Sequence, residues 1–429
     1  MPVPDDVARL EALAERTLRA NWREGVRGDG VPYAFTCPAP PRYRHMWHWD
    51  SCFHAVAWRR VDPANARAEL RTVLRSGPGD GFLPHTVFWD WPAGWRRAPF
   101  YATRSVRGDR FTHSIGPPLL AWAWELVAEA SGHDEPGFAT EALPQLARHL
   151  DWLAHHRDPD GDGLLTIVLP DESGLDDSPK YDPVFGPLAH HRVGYTRLLH
   201  RCRRLGWDSR AIIASTDHHV EDVLVNIAYA LSLRAMARLS AGDEPTARRW
   251  HARADATLHA LLDRCWDDER GLFFDLAGAE ERPVRVSTWA SLAPLALPEL
   301  PADRARRLID DHLLDPRRYR APVGIPSVAM NEPSFNPRFD RWRAWRGPSW
   351  ANTAALLVPA LRRHGEHAEA DRITRALTAA ALRDGLREYY DPITGAGLAA
   401  RGFGWSTLLA ELAASNGSPH SSQPPALRR

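Results

Sequence analysis

The sequence predicts an all-α chain whose helices pair and close into a ring; an open helical solenoid is the competing arrangement. Three observations carry this. Segments with apolar residues at 3.6-residue spacing recur about a dozen times. Alternating apolar–polar runs, the mark of a half-buried strand, are few. Turns rich in Asp and Gly follow helical segments and precede short extended pieces, at 158–164, 267–272 and 391–398. Such repetition is the trace of a helix-pair repeat with its turns on one rim.

The first helix is expected over 5–25, with Val7, Leu10, Ala14, Leu18 and Trp22 on one face. A loop of Pro and aromatic residues follows at 33–41. In the stretch 43–55, Asp50 or Ser51 can cap the next helix. Two readings stay open there: a cap with packed tryptophans, or a sugar platform of Trp47 or Trp49 beside an Asp50 that accepts hydroxyl hydrogen bonds. A helix at 64–75 ends at the Gly- and Pro-rich stretch 77–85. Phe88-Trp89-Asp90-Trp91-Pro92 and Trp95 form an aromatic loop. Ile115-Gly116-Pro117-Pro118 opens an apolar helix at 119–130, since Pro is tolerated in a first turn. Another helix spans 138–157.

Asp158-Pro159-Asp160-Gly161-Asp162-Gly163 begins as a calcium loop does. The twelfth position is Leu169, where an EF-hand needs a bidentate Glu, so a tight turn is the better reading and no metal is expected. Later helices are expected at 190–205, 219–240, 244–264, 302–313, 349–363, 366–383 and 405–414. His218 and His219 have Asp222 nearby but no third ligand at helical spacing, and read as polar surface or a pocket edge.

Length and composition bound the function. A ring of helices can use residues 1–415 as one unit; 416–429, rich in Ser and Pro, is expected to be disordered. The 54 basic and 54 acidic residues balance, which argues against nucleic-acid or membrane partners. Cys37, Cys52, Cys202 and Cys265 form no CxxC pair, so they are expected to be buried free thiols. No cofactor is implied. The N-terminus lacks a basic region followed by an apolar run, and a cytoplasmic protein is the default, with a homo-oligomer left open. The 18 Trp residues gather in loop-like stretches with Pro, Gly and His, where aromatic faces suit the C–H face of a sugar ring.

The chemistry centres on 171–179, Asp-Glu-Ser-Gly-Leu-Asp-Asp-Ser-Pro, which holds four carboxylates in seven residues. Ser, Gly and Pro favour a fixed loop. A carboxyl held against apolar walls keeps its proton near neutral pH, as an acid catalyst must. The plainer reading is a solvated acidic turn. A second acidic group, Glu388, sits at a helix–loop junction in Arg387-Glu388-Tyr389-Tyr390-Asp391-Pro392.

Five motifs together resemble glycoside hydrolase family 63 and its trehalase-like relatives. Trp47-His48-Trp49-Asp50-Ser51-Cys52-Phe53-His54-Ala55 resembles W-x-W-D-S-x-F-H-A. Residues 172–179 resemble E-S-G-x-D-N-S-P, and 346–352 match R-G-P-x-W-x-N. Glu388-Tyr389-Tyr390-Asp391-Pro392-Ile393-Thr394-Gly395 matches E-Y-Y-x-P-x-T-G, and 403–406 match F-x-W-S. They run in the family's order over 43–406, and the compact length most resembles the mannosylglycerate and glucosylglycerate hydrolase branch. The resemblance implies an (α/α)6 barrel, a six-hairpin toroid with short β-hairpins and long loops at its mouth. It implies an inverting glycosidase for a small α-linked glucoside or mannoside, with Asp176 as general acid and Glu388 as general base. It implies glycone contacts from Trp47, Trp49 and Asp50, and a pocket lined by Tyr43, Trp345, Arg346, Gly347, Tyr389 and Trp405. Asp177 and Gly116 depart from the family pattern, which often has Asn and Gln there. A glycerate carboxylate would need a cation, for which Arg210, Arg97 and Arg346 are candidates. Trehalase-like action on a disaccharide is the nearest alternative. In other classes stand a toroidal sugar epimerase or lyase using His85, His113 or His218, and a noncatalytic sugar-binding protein.

Overall fold

Apolar faces at helical spacing decide which helix packs on which. His48–Val61 packs on Leu120–Ser131, which packs on Val223–Leu239; that helix meets Trp289–Ala296, which meets Ala351–Arg363, which meets Leu408–Ser415. Leu408–Ser415 packs back on His48–Val61. Outside this succession lie partner helices. Pro63–Leu74 pairs with His48–Val61, Glu244–Ala260 with Val223–Leu239, His367–Asp384 with Ala351–Arg363, and Pro4–Asn21 with Leu408–Ser415. The computed structural model describes residues 4–27, 30–89, 104–106, 109–132, 135, 137–186, 192–340 and 343–415. Asp90, Trp91, Pro92, Trp95, Arg97 and the tail 416–429 lie outside them.

The fold is helix-rich, and burial follows from composition. Val223–Leu239 is predominantly apolar, and every residue from Val223 to Ala237 is buried. A helix of that kind belongs in an interior. Glu244–Ala260 is one-sided and buries Ala247, Trp250, Ala254 and Leu258. The four cysteines are buried and form no disulfide. No helix among the described residues is long and apolar enough to cross a membrane.

Short strands carry the chain between helices and loops. One antiparallel sheet runs Arg282–Val284, Asp275–Ala277, Val220–Glu221, Thr166–Ile167. Another joins Met46–Trp47 to Thr86–Val87, and Arg387–Tyr390 pairs with Gly397–Arg401.

Several elements differ from expectation for identifiable reasons. The first helix ends at Asn21, because Trp22–Val26 pairs with Pro32–Thr36 and the Asn21 amide donates to the carbonyls of Pro38 (3.1 Å) and Gly402 (2.8 Å). Neither Asp50 nor Ser51 caps its helix, which starts at His48; the His48 N–H is satisfied by the His85 carbonyl at 2.8 Å. That frees the Asp50 carboxylate to face elsewhere. The 138–157 segment divides into Phe138–Glu141 and Leu143–Arg157, with Pro144 in the first turn of the second. Pro117 and Pro118 precede a helix that begins at Leu120. Val220–Glu221 is a strand, after which Asp222 caps the following helix by accepting from the Val225 N–H at 2.9 Å.

Candidate active site

The acidic loop is held by a buried ion pair. Arg157 donates from its two terminal nitrogens to Glu172, at 2.8 and 2.6 Å. Glu172 also accepts from the backbone N–H groups of Ile115 (3.1 Å) and Val168 (2.8 Å). Neither side chain is more than 1 % exposed, so this carboxylate is a clamp with no access to a ligand. Gly174 then turns the chain at φ +72°, and a Cβ there would stand 2.4 Å from the Trp49 ring, so this position needs glycine. Beyond the loop, Lys180 is buried between Asp222 (2.6 Å) and Asp275 (3.0 Å). Two of the loop's remaining carboxylates are engaged as well. Asp171 accepts from the Tyr195 hydroxyl, and Asp177 accepts from the N–H groups of Ala344 and of Trp345, the latter at 2.7 Å. Burial and neighbouring Asp176 push the Asp177 carboxyl up, while the two amide donors favour its ionised form. Asp176 is the exposed member, and it opens into a cavity.

That cavity has a volume of about 370 Å³, the scale of a small-ligand site. Glu388 lines it from the Arg387–Tyr390 strand, so the two acids come from the middle and the end of the chain to one space. Glu388 is 6 % exposed. Its Oε1 accepts from the Tyr43 hydroxyl at 3.0 Å and its Oε2 from the Ala400 N–H at 3.2 Å. Burial raises its carboxyl; the two donors and Arg42 oppose that rise. Burial also raises the Tyr43 hydroxyl, so Tyr43 stays protonated and is the donor in this pair.

Asp50 lines the same cavity from the first turn of its helix, and burial pushes its carboxyl up to about 7. The walls are aromatic. Trp345 stacks on Trp350 with centroids 3.7 Å apart, Trp49 meets Trp405 edge-on at 5.6 Å, and Tyr43 meets Trp47 edge-on at 6.0 Å. Such rings present flat apolar surface beside the carboxylates.

Of the residues expected here, Tyr43, Trp47, Trp49, Asp50, Asp176, Trp345, Glu388, Tyr389 and Trp405 line the cavity. Arg346 and Gly347 stand behind that wall. Arg346 makes a bidentate pair with Asp182, both bonds 2.7 Å, and donates to the Asp177 carbonyl at 3.0 Å. The Gly347 N–H donates to Ser327 at 2.8 Å. Arg346 therefore braces the loop. Arg210 donates to the carbonyls of His155 and Pro159, away from the cavity, and Arg97 lies outside the described residues. The cation on the cavity wall, among the described residues, is Arg42, whose guanidinium lies 4.9 Å from the Tyr43 ring centroid. Sequence reasoning missed it: an Arg beside Tyr43 carries no pattern of its own. Trp350 and Phe403, also on the wall, lay inside motifs already singled out. Of the histidines considered as acid–base groups, His85 lines the cavity. His113 stacks against Trp207 at 5.1 Å, and His218 is exposed, with Nδ1 2.7 Å from the Thr216 hydroxyl.

Known proteins resemble this chain in sequence and fold. The profile of the mannosylglycerate hydrolase MGH1-like glycoside hydrolase domain matches residues 43–406. The mannosylglycerate hydrolase of Thermus thermophilus is 33 % identical over 409 residues, 88 % of this chain and 96 % of the relative. The glucosylglycerate hydrolase of Mycolicibacterium hassiacum is 28 % identical, covering 89 % and 94 %. The crystal structure of a family 63 mannosylglycerate hydrolase from Thermus thermophilus in complex with glucose superposes with a TM-score of 0.80 at 32 % identity, covering 94 % of this chain and 100 % of that one. The chain thus belongs to the mannosylglycerate hydrolase MGH1-like family within glycoside hydrolase family 63, and it is a glycoside hydrolase.

Proposed function

We propose that this enzyme inverts the anomeric centre as it hydrolyses a small α-linked glucoside or mannoside, glucosylglycerate or mannosylglycerate being the leading candidates. Asp176 gives its proton to the glycosidic oxygen as the C–O bond breaks. Glu388, ionised, takes a proton from the water that attacks the anomeric carbon on the opposite face. Inversion needs two carboxyl groups about 6.5–9.5 Å apart with a water between them. The observation that carries this reading is that Asp176, the exposed carboxylate of the acidic loop, and Glu388, from near the end of the described chain, line one cavity. The bonds from Tyr43 and Ala400 to Glu388 favour its charged form, as a base requires. Asp50, directly after Trp49 in sequence, accepts from glycone hydroxyls, and the Trp47 and Trp49 rings cover the sugar's apolar face. The names of the relatives direct the choice of substrate. The succession of six inner helices that returns to its start, four of them with an outer partner helix among the described residues, supports an (α/α)6 barrel with this cavity at its mouth.

The test is hydrolysis of α-glucosylglycerate, α-mannosylglycerate, trehalose and kojibiose, with the anomer of the released sugar read by NMR at early times. β-Sugar release from a glycosylglycerate is the expected result. Release of the α-anomer contradicts attack by a Glu388-activated water.

A further inference from the structure

A second carboxylate cluster lies apart from the residues that line the cavity. Asp160 and Asp162 occupy the turn after Leu143–Arg157, Glu221 ends the Val220–Glu221 strand, and Glu281 sits in the turn before Arg282–Val284. Antiparallel pairing aligns Glu221 with Thr166 on one side and with Leu276 on the other. The sheet thereby draws three chain segments to one end, and one oxygen from each of the four acids lies within 4.8 Å of all the others.

Glu221 makes this more than a patch of surface charge. It is 6 % exposed, its carboxylate contributes an oxygen to the group, and its Oε2 has no hydrogen-bond partner. A buried carboxylate oxygen left unmatched costs free energy unless a cation or donor meets it. Arg264 supplies part of the balance: its Nε stands 3.1 Å from Asp162, and it also pairs with Glu281. One guanidinium against four carboxylates leaves an excess of negative charge, and burial with Asp162 and Glu281 nearby pushes the Glu221 carboxyl up to about 8. A solvent-open groove lined by Asp160, Glu221 and Glu281 gives an ion a way in.

We propose that Asp160, Asp162, Glu221 and Glu281 bind one calcium ion, which ties the turn after Leu143–Arg157 to the sheet. The donors are all oxygen, which excludes a zinc-type site and suits a hard cation. Four protein carboxylates favour calcium over magnesium, because magnesium demands near-ideal octahedral geometry, keeps several of its waters and is seldom held by an all-protein cage. The Asp-rich turn lacks the EF-hand's twelfth-position Glu, and Glu221 and Glu281 supply carboxylates from the sheet in its place.

Calcium chloride titrated calorimetrically into full-length protein, stripped with EDTA and desalted, tests this, with magnesium chloride in parallel. One equivalent of calcium is expected to bind, at least about tenfold tighter than magnesium. It is expected to raise Tm by on the order of 2–5 °C. Glu221→Gln should weaken binding at least about tenfold. Glu281→Gln, on a partly exposed turn, should do the same while retaining the wild-type rate of glycoside hydrolysis. No binding heat with an identical Tm in EDTA and calcium overturns the proposal. So does an equal response to magnesium, or wild-type calcium affinity in both variants.

Discussion

The Tyr43 hydroxyl donates a 3.0 Å hydrogen bond to Oε1 of Glu388 and so joins residues 345 positions apart in the chain. The bond fixes the carboxylate's direction and favours its ionised state. Removing it by Tyr43→Phe withdraws a donor from a charged group, worth about 1.5–3 kcal/mol, so kcat/KM should fall by about 10- to 100-fold. The sign on pH follows. Loss of a donor that lowers the Glu388 carboxyl lets it rise further, so the acidic limb of the kcat/KM profile should move to higher pH. An unmoved limb would show that Tyr43 acts only in packing.

Replacement of the two proposed proton-transfer groups should act on kcat. Asp176→Asn and Glu388→Gln should each lower it by about 10²–10⁴-fold, with circular dichroism and Tm near wild type for the exposed Asp176. The Asp176 variant should recover rate on a glycoside whose leaving group needs no proton, such as a fluoride. The Glu388 variant should not recover on that substrate. Equal behaviour of the two would contradict their division of labour.

Asp50 links stability to pH. Its carboxyl is raised to about 7 by burial, above the unfolded value of about 3.9, so the folded state holds the extra proton between those limits. Its contribution to stability is therefore fully present at low pH, declines as pH rises from about 4 to about 7, and stays low above that. Asp50→Asn should remove this decline. The variant's Tm relative to wild type should be higher at pH 8 than at pH 5, while KM for the glycoside rises. Parallel Tm curves for the two proteins would mean that Asp50 is not strained by burial.

The Arg157–Glu172 clamp predicts an asymmetry between single and double substitution. Glu172→Gln leaves the Arg157 charge buried without its partner, which should cost about 3–5 kcal/mol. Thermal unfolding should show a clear fall in Tm, with activity lost as the loop bearing Asp176 shifts. Adding Arg157→Met removes the stranded charge and should restore part of the stability but less of the activity, because glutamine offers one acceptor oxygen where Glu172 used two, one for the Ile115 N–H and one for that of Val168.

Much of the helical skeleton was legible because each outer helix has one wet face and so carries a 3.6-residue period. Glu244–Ala260 and His367–Asp384 are of this kind. Trp289–Ala296 was not expected. It is short, contains Pro294 and is apolar on almost every side, so it has no period to read. The strand at Trp22–Val26 escaped for the opposite reason: Trp22 fits a helical face, and only pairing with 32–36 overrides it. Within the site, motif spacing pointed to Asp176 and Glu388, yet it could not sort the carboxylates of one loop into a clamp, a brace and an exposed acid. That division depends on Arg157, Tyr195 and the Ala344 and Trp345 amides, which the sequence sets far from the loop or leaves without a pattern. Arg346 shows the same limit, since a motif arginine behind the wall reads like one in front of it.

The helix Leu408–Ser415 packs on both Pro4–Asn21 and His48–Val61. Its place after both of them in the chain means that Pro4–Asn21 and His48–Val61 keep part of their apolar sides uncovered until residues 408–415 have been added. A polypeptide cut short of Leu408 would therefore offer that bare surface to chaperones and proteases.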